Sequence, residues 1–306
     1  MVFGNSDPLP IGLLEYLDVV LGRGIAEKQQ AAFRGALLAE EIGYKRVWIP
    51  EHHGPGTPCA SPITVSAAVG SHTSKIRVGS AVSLLRVRDP YLSLVDFYQA
   101  AYLCNGRLDI GLGRGDVGGP MARFATHLRK TDDEVQKALE EFPELMSEYA
   151  QAIEPLPSGC EIWLHGSGIR SAELAAKLGF NYCHALFLNP NIDTCVWALR
   201  RHKEGASRTR SAVALAVIVN PDEDVTDRPL GKIGLKISCA GSAADCARTA
   251  LRAVALAGAD ELIIAELSGP GRHLDAIEEI HTALRDRVRT RPEARLQAPA
   301  AAQEVR

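Results

Sequence analysis

The sequence has little excess charge: 34 Lys and Arg stand against 37 Asp and Glu, a net −3. Without a strong positive field, nucleic-acid binding and polybasic membrane attachment are not expected. No apolar run approaches the roughly 18 residues that span a bilayer. Met1 to Leu14 has no basic start and no small-residue cleavage site, so no secretory signal is expected either. C-x-x-C pairs are also missing. The seven cysteines (Cys59, Cys104, Cys160, Cys183, Cys195, Cys239 and Cys246) are odd in number and widely spaced, which disfavours disulfides or a zinc ribbon and suits a reduced, cytoplasmic compartment. Aromatics are scarce at 6 %, yet apolar residues reach 46 % of 306, enough for a large core.

What is present is an alternation. Short apolar runs at Pro10–Leu14, Arg46–Ile49, Ile76–Val82, Arg107–Leu112, Glu161–His165, Tyr182–Phe187, Ala212–Val219 and Glu261–Ala265 read as strands. Segments of helical period separate them: Ala26–Ile42, Ser61–Ser74, Asp89–Leu103, Thr131–Ile153, Ser171–Leu178, Asp193–Lys203, Ser242–Ala257 and His273–Val288. In the first helix Phe33, Leu37, Leu38 and Ile42 form an apolar stripe, and in the fourth Pro143 predicts a kink. Gly43 and Gly179 stand where C-cap glycines belong.

Strands joined by crossover helices pair in parallel. Eight such units in about 290 residues predict a single-domain α/β fold, a (β/α)8 TIM barrel over residues 1–290, with a disordered tail over 291–306. A doubly wound sheet would carry G-x-G-x-x-G after its first strand, and this chain has none.

Active residues of such barrels cluster at the C-terminal ends of strands. The fourth strand ends in Gly113-Arg114-Gly115, a guanidinium between glycines that let backbone amides approach an anion. The fifth ends in Gly166-Ser167-Gly168 just before a helix, whose N-terminus adds free N–H donors. The two together point to an anion site; alternatively, Arg114 forms a surface pair with Asp116. The second strand ends in Glu51-His52-His53, where alternation puts Glu51 and His53 on one side and His52 on the other. That spacing does not suit a metal, which leaves a hydrogen-bonded structural cluster or a general acid/base site.

These segments resemble the bacterial luciferase-like flavin monooxygenases. The resemblance runs through Gly43–His53, Ala60-Ser61-Pro62, Thr73–Val82, Asn105–Gly115, Ile162–Gly168 and Gly258–Leu262, most of residues 10 to 285. It implies a two-component monooxygenase of a small organic substrate: a separate flavin reductase supplies reduced FMN, dioxygen reacts with it, and a C4a-peroxide does the chemistry. By the same resemblance His52 is the acid/base residue, with His53 and Glu51 beside it at the pocket wall. Arg114 with Gly115, and Gly166, Ser167 and Gly168, hold the flavin phosphate, and Ala81-Val82 is a non-proline cis peptide behind the ring. Arg170 stands where luciferases have a phosphate-contacting threonine, and Gly113 where they have a reactive cysteine. Only Asn220–Gly241 is available for the segment after the seventh strand, a shorter shield against water than the family often carries. Two alternatives remain open: an F420-dependent dehydrogenase or reductase, and a non-catalytic flavin-binding or partner subunit of a heterodimer. Ala-rich faces on the second and third helices suggest a homodimer.

Overall fold

The computed structural model describes residues 8–16, 24–53, 59–115, 127–206, 208–221, 235–269 and 271–289. Its strands are β1 (Ile11–Leu14), β2 (Arg46–Ile49), β3 (Arg77–Ser80), β4 (Ser83–Leu84), β5 (Leu108–Gly113), β6 (Glu161–Gly166), β7 (Asn181–Ala185), β8 (Ser211–Val219), β9 (Cys239–Gly241) and β10 (Glu261–Glu266). Eight of them close a parallel barrel in the order β1-β2-β3-β5-β6-β7-β8-β10, with β10 returning to β1 through Ile11↔Leu262 to Leu14↔Ala265. The (β/α)8 barrel is therefore the fold. The short β4 and β9 lean on β5 and β8 and were not expected from the sequence.

The helices are α1 (Ile25–Ile42), α2 (Pro62–His72), α3 (Pro90–Leu103), α4 (Asp132–Ala152), α5 (Ile169–Leu178), α6 (Ile192–Gly205), α7 (Ala243–Ala257) and α8 (His273–Arg289). Local chemistry sets their ends. Asp89 accepts from the Leu92 amide with Pro90 at the first helical position, and Thr131 with Glu134 forms a capping box. Gly43 and Gly179 end α1 and α5 in the left-handed region, as expected.

Two local expectations change. The inner face of α1 is Ala32, Gly35, Ala36 and Ala39, and Leu37 from the expected stripe is exposed. A β-carbon at Gly35 would lie 2.9 Å from Glu15 Oε2, so the close approach of α1 selects small residues over large apolar ones. Second, α5 starts two residues earlier than expected, which makes Gly168 its N-cap and puts Arg170 in its first turn. The Asp116 partner proposed for Arg114, most of the 220–241 connection and the 291–306 tail lie outside the described residues.

The barrel interior is layered. At the N-terminal end the fully buried Arg46 pairs with Asp109 and donates to Glu261 Oε1 at 3.0 Å, with Glu161 at 3.4 Å. Arg77 and Arg210 complete this network from the rim. Burial works against the Arg46 charge, but Asp109, Glu261 and Glu161 outweigh it and hold its pKa above the ordinary value. The next layer is Trp48 and Trp163, edge to face at 5.7 Å, with the Arg46 guanidinium 4.8 Å from the Trp163 ring centre. These layers close the barrel from below.

Candidate active site

Above them, at the C-terminal ends of the strands, lies a cavity of about 500 Å³, in the size range of small-molecule and cofactor sites. Glu51, His52, Ala81, Val82, Arg114, Gly115, Gly166 and Ser167 line it, so the structure gathers most of the expected residues from four separate strand ends. His53, Gly168 and Arg170 are not part of that lining.

One part of the lining is built around Arg114. The Arg114 guanidinium donates through Nη2 to Gln136 of α4, and Gln136 is oriented in turn by donating to Glu140 at 2.8 Å. Its Nε is buried and has no hydrogen-bond partner among the described residues. Burial, then the repulsion of Arg170, pulls the Arg114 pKa below its ordinary value, despite help from Asp132. Among the described residues, Arg170 and Arg86 oppose the Arg114 charge while Asp132 and Glu140 favour it. Ser167 and Ser171 also line the cavity. A β-carbon at Gly166 would come within 2.7 Å of Ser171 Oγ, so the glycine is what lets the turn fold against the helix start. The first N–H groups of α5 have no intrahelical partners and carry the positive end of its dipole.

The second group is His52. Its Nε2 is 3.0 Å from Tyr16 Oη, and both residues line the cavity. Glu51 faces the other way, as alternation implies: its carboxylate accepts from the Leu84 amide at 3.0 Å and Arg88 Nε at 2.7 Å, and lies 2.7 Å from His53 Nε2. That carboxylate is consumed in fastening the end of β2 to the β4 segment. His53 is turned onto Glu51 instead of standing at the pocket wall. Glu51 and His53 thus form the hydrogen-bonded cluster that was one of the two expected readings, with Glu51 in the cavity lining and His53 outside it, because a buried carboxylate needs its partners.

The Ala81–Val82 peptide, also in the lining, is cis. A β-carbon at Gly113 would sit 2.6 Å from Val82 Cγ2, so no cysteine fits there without moving Val82. His165 edges onto the cavity 4.7 Å from Trp48, with Nε2 sealed off. Burial, and then Arg46 below, holds its pKa down to about 3, so its ring is neutral. Leu14, Phe187, Leu188 and Ile263 make the remaining wall apolar.

Sequence reasoning passed over Tyr16, Gln136, His165 and Ser171. Tyr16 and His165 stand at the C-terminal ends of β1 and β6, and that position is the signal that finds them. Glu15, beside Tyr16, turns outward and meets His273 Nε2 at 2.6 Å, while Glu266 lies 3.0 Å from His273 Nδ1. Burial opposes the imidazolium, but the two carboxylates outweigh it and raise the His273 pKa to about 10. This buried cluster ties β1, β10 and α8 together outside the cavity.

The luciferase-like monooxygenase family model matches residues 20–287. Among curated relatives, the uncharacterized protein YceB of Bacillus subtilis (strain 168) is 30 % identical over 197 residues, 59 % of this chain and 58 % of that protein. N-acetyl-S-alkylcysteine monooxygenase of the same strain is 30 % identical over 182 residues, 55 % of this chain and 54 % of that protein. Each alignment spans little more than half the relative's length. Among solved structures, apo-MsnO8 superposes with a TM-score of 0.77 at 21 % identity, covering 90 % of this chain and 98 % of the other. The oxygenating constituent of 3,6-diketocamphane monooxygenase from the CAM plasmid of Pseudomonas putida, in complex with FMN, gives 0.67 at 15 % (90 % and 98 % covered). An F420-dependent secondary alcohol dehydrogenase gives 0.70 at 16 % (92 % and 100 %). At these identities the likenesses show the barrel. With the family model matching from before α1 into α8, the chain belongs to the luciferase-like monooxygenase family.

Proposed function

We propose that the protein is a monooxygenase that takes reduced FMN from a separate flavin reductase and uses dioxygen to oxidise a small organic substrate. One observation carries this reading: Arg114, whose buried Nε has no hydrogen-bond partner among the described residues, lines the same cavity as Ser167 and Ser171 at the ends of two adjacent strands, and the rest of that lining is largely apolar. A flavin phosphate needs the first and an isoalloxazine ring with an organic substrate needs the second. Family membership supports the reaction class, and so does the name of the N-acetyl-S-alkylcysteine monooxygenase relative.

The bound flavin would supply the oxygen-activating chemistry. The chain would bind, orient and shield it. Arg114, with Arg170 adding field from the first turn of α5, holds the phosphate together with Ser167 and the amides around Gly168; Gly115 and Gly166 allow the close approach. Ala81-Val82 and Gly113 seat the ring. His52, steadied by Tyr16, gives or takes a proton at Nδ1 or Nε2, the task for which imidazole is suited near neutral pH. Leu14, Phe187, Leu188 and Ile263 exclude water.

Anaerobic titration with reduced FMN and with reduced F420 tests the cofactor. Tighter binding of reduced FMN supports the reading. Preference for F420 shifts it to a dehydrogenase or reductase, which the likeness to the F420-dependent alcohol dehydrogenase favours. His52→Ala is expected to keep flavin affinity and lose turnover. A homodimer through the outer faces of α2 and α3 belongs to the same reading, with Leu92 and Leu103 exposed on α3; light scattering checks it.

A further inference from the structure

We propose that Tyr182 and Asn189 are positioning residues that hold the β6–α5 turn in its phosphate-receiving shape by tying back two of its carbonyl groups. The proposal rests on the phosphate reading above.

Tyr182 and His184 stand on β7 two residues apart and therefore share a face. Tyr182 packs with the helix layer, whereas Cys183 and Ala185 point into the barrel and line the cavity. From behind, Tyr182 Oη donates to the carbonyl of Gly168, the N-cap of α5, at 3.2 Å. A carbonyl only accepts, so this bond uses the phenol's one proton. His184 Nδ1, 3.1 Å from the same oxygen, must then be the donor. Burial keeps the His184 ring neutral, its pKa lowered to about 4, so the Nδ1–H tautomer is the one present. The chain is His184 Nδ1–H to Tyr182 Oη–H to Gly168 C=O.

Asn189 works on the neighbouring peptide. Its Nδ2 donates to the Ser167 carbonyl at 2.9 Å. Its orientation is settled from the other side, because Oδ1 accepts the Asn191 amide at 3.2 Å. Asn191 is in turn the N-cap of α6.

In a trans peptide unit the C=O and N–H point in opposite directions. Drawing back the Ser167 carbonyl turns the Gly168 N–H the other way, and drawing back the Gly168 carbonyl does the same for the Ile169 N–H. Those two amides open the first turn of α5, where intrahelical partners are lacking and an anion is favoured. The Gly168 carbonyl also accepts the Ala172 amide at 3.4 Å, so Tyr182 reinforces a direction that a long helix bond holds weakly, whereas the Ser167 carbonyl without Asn189 is free to turn toward the cavity and present partial negative charge to a phosphate.

The test compares reduced FMN with reduced riboflavin, which lacks only the phosphate, by anaerobic equilibrium titration of the wild type, Tyr182→Phe and Asn189→Ala. Thermal unfolding of each is measured alongside. Expected are a wild-type preference for FMN, a loss of about tenfold in FMN affinity in each variant, and riboflavin affinity within about twofold of wild type. Equal losses for both flavins would assign the two residues a merely structural role and overturn the proposal. So would an unchanged FMN-to-riboflavin ratio, with the phosphate reading left standing. A wild type without any preference for FMN would remove the phosphate reading itself, and the proposal with it. Tyr182→Phe deletes a single oxygen and keeps the ring, so the comparison survives even if Asn189→Ala does not fold.

Discussion

The two ends of the barrel treat charge in opposite ways. At the N-terminal end Arg46, Arg77 and Arg210 are interleaved with Asp109, Glu161 and Glu261, and the desolvated guanidinium of Arg46 is compensated by carboxylates. At the C-terminal end Arg114 and Arg170 repel each other beside a cavity, and the described bond to the Arg114 guanidinium comes from a neutral amide. The closed end is finished within the chain. The open end keeps a positive charge that a ligand can complete.

The contrast breaks most visibly at Arg46. Arg46→Met would remove the one fully buried cation of the network and leave Asp109 and Glu261 only their rim partners Arg77 and Arg210, and a loss of about 3–5 kcal/mol in denaturant unfolding is expected. Next comes the balanced cluster in the wall behind the open end. Native His273 holds its proton up to about pH 10, whereas an unfolded chain releases it near 6.5. Between those values the native state binds more protons, so this contribution is complete below pH 6.5 and is lost as pH rises to 10. The fall should amount to several kcal/mol, and His273→Gln should flatten it in unfolding curves taken across that range.

At the open end the ranking of stability and binding reverses. Arg114→Ala should change stability by less than about 1 kcal/mol while weakening reduced FMN roughly 10- to 100-fold, the worth of charge-assisted hydrogen bonds to a phosphate. A large stability loss with unchanged FMN affinity would put Arg114 in the same class as Arg46. The smallest effect belongs to Arg170, which is exposed and screened: Arg170→Ala should weaken FMN by no more than about threefold, and less at high salt.

Legibility in the sequence follows the range of the interactions. Strands, helices and the caps at Gly43, Asp89 and Gly179 rest on neighbours within a few residues, and the pattern shows them. Arg114 and Ser167 are legible because strand ends of a barrel converge wherever their sequences lie, whereas the Ala81–Val82 cis peptide is legible only through the family resemblance. The closed-end network was not, since Arg46, Asp109, Glu161 and Glu261 come from four distant strands and each alone reads as a surface charge. The small inner face of α1 was missed for a related reason: its spacing to Glu15 is set by the barrel, not by the helix's own period. Glu51 and His53 were placed on the correct side, but their partners Leu84 and Arg88 are more than 30 residues away, so a fastening resembled an acid/base pair.

The most direct test of an open end completed by a ligand is a crystal structure of the protein soaked with FMN. The phosphate is expected within hydrogen-bond distance of the Arg114 guanidinium and the turn from Ser167 to Ser171, with the ring against Ala81–Val82. A flavin bound with its phosphate directed away from Arg114, or a saturating soak that leaves the cavity without flavin, would contradict the account.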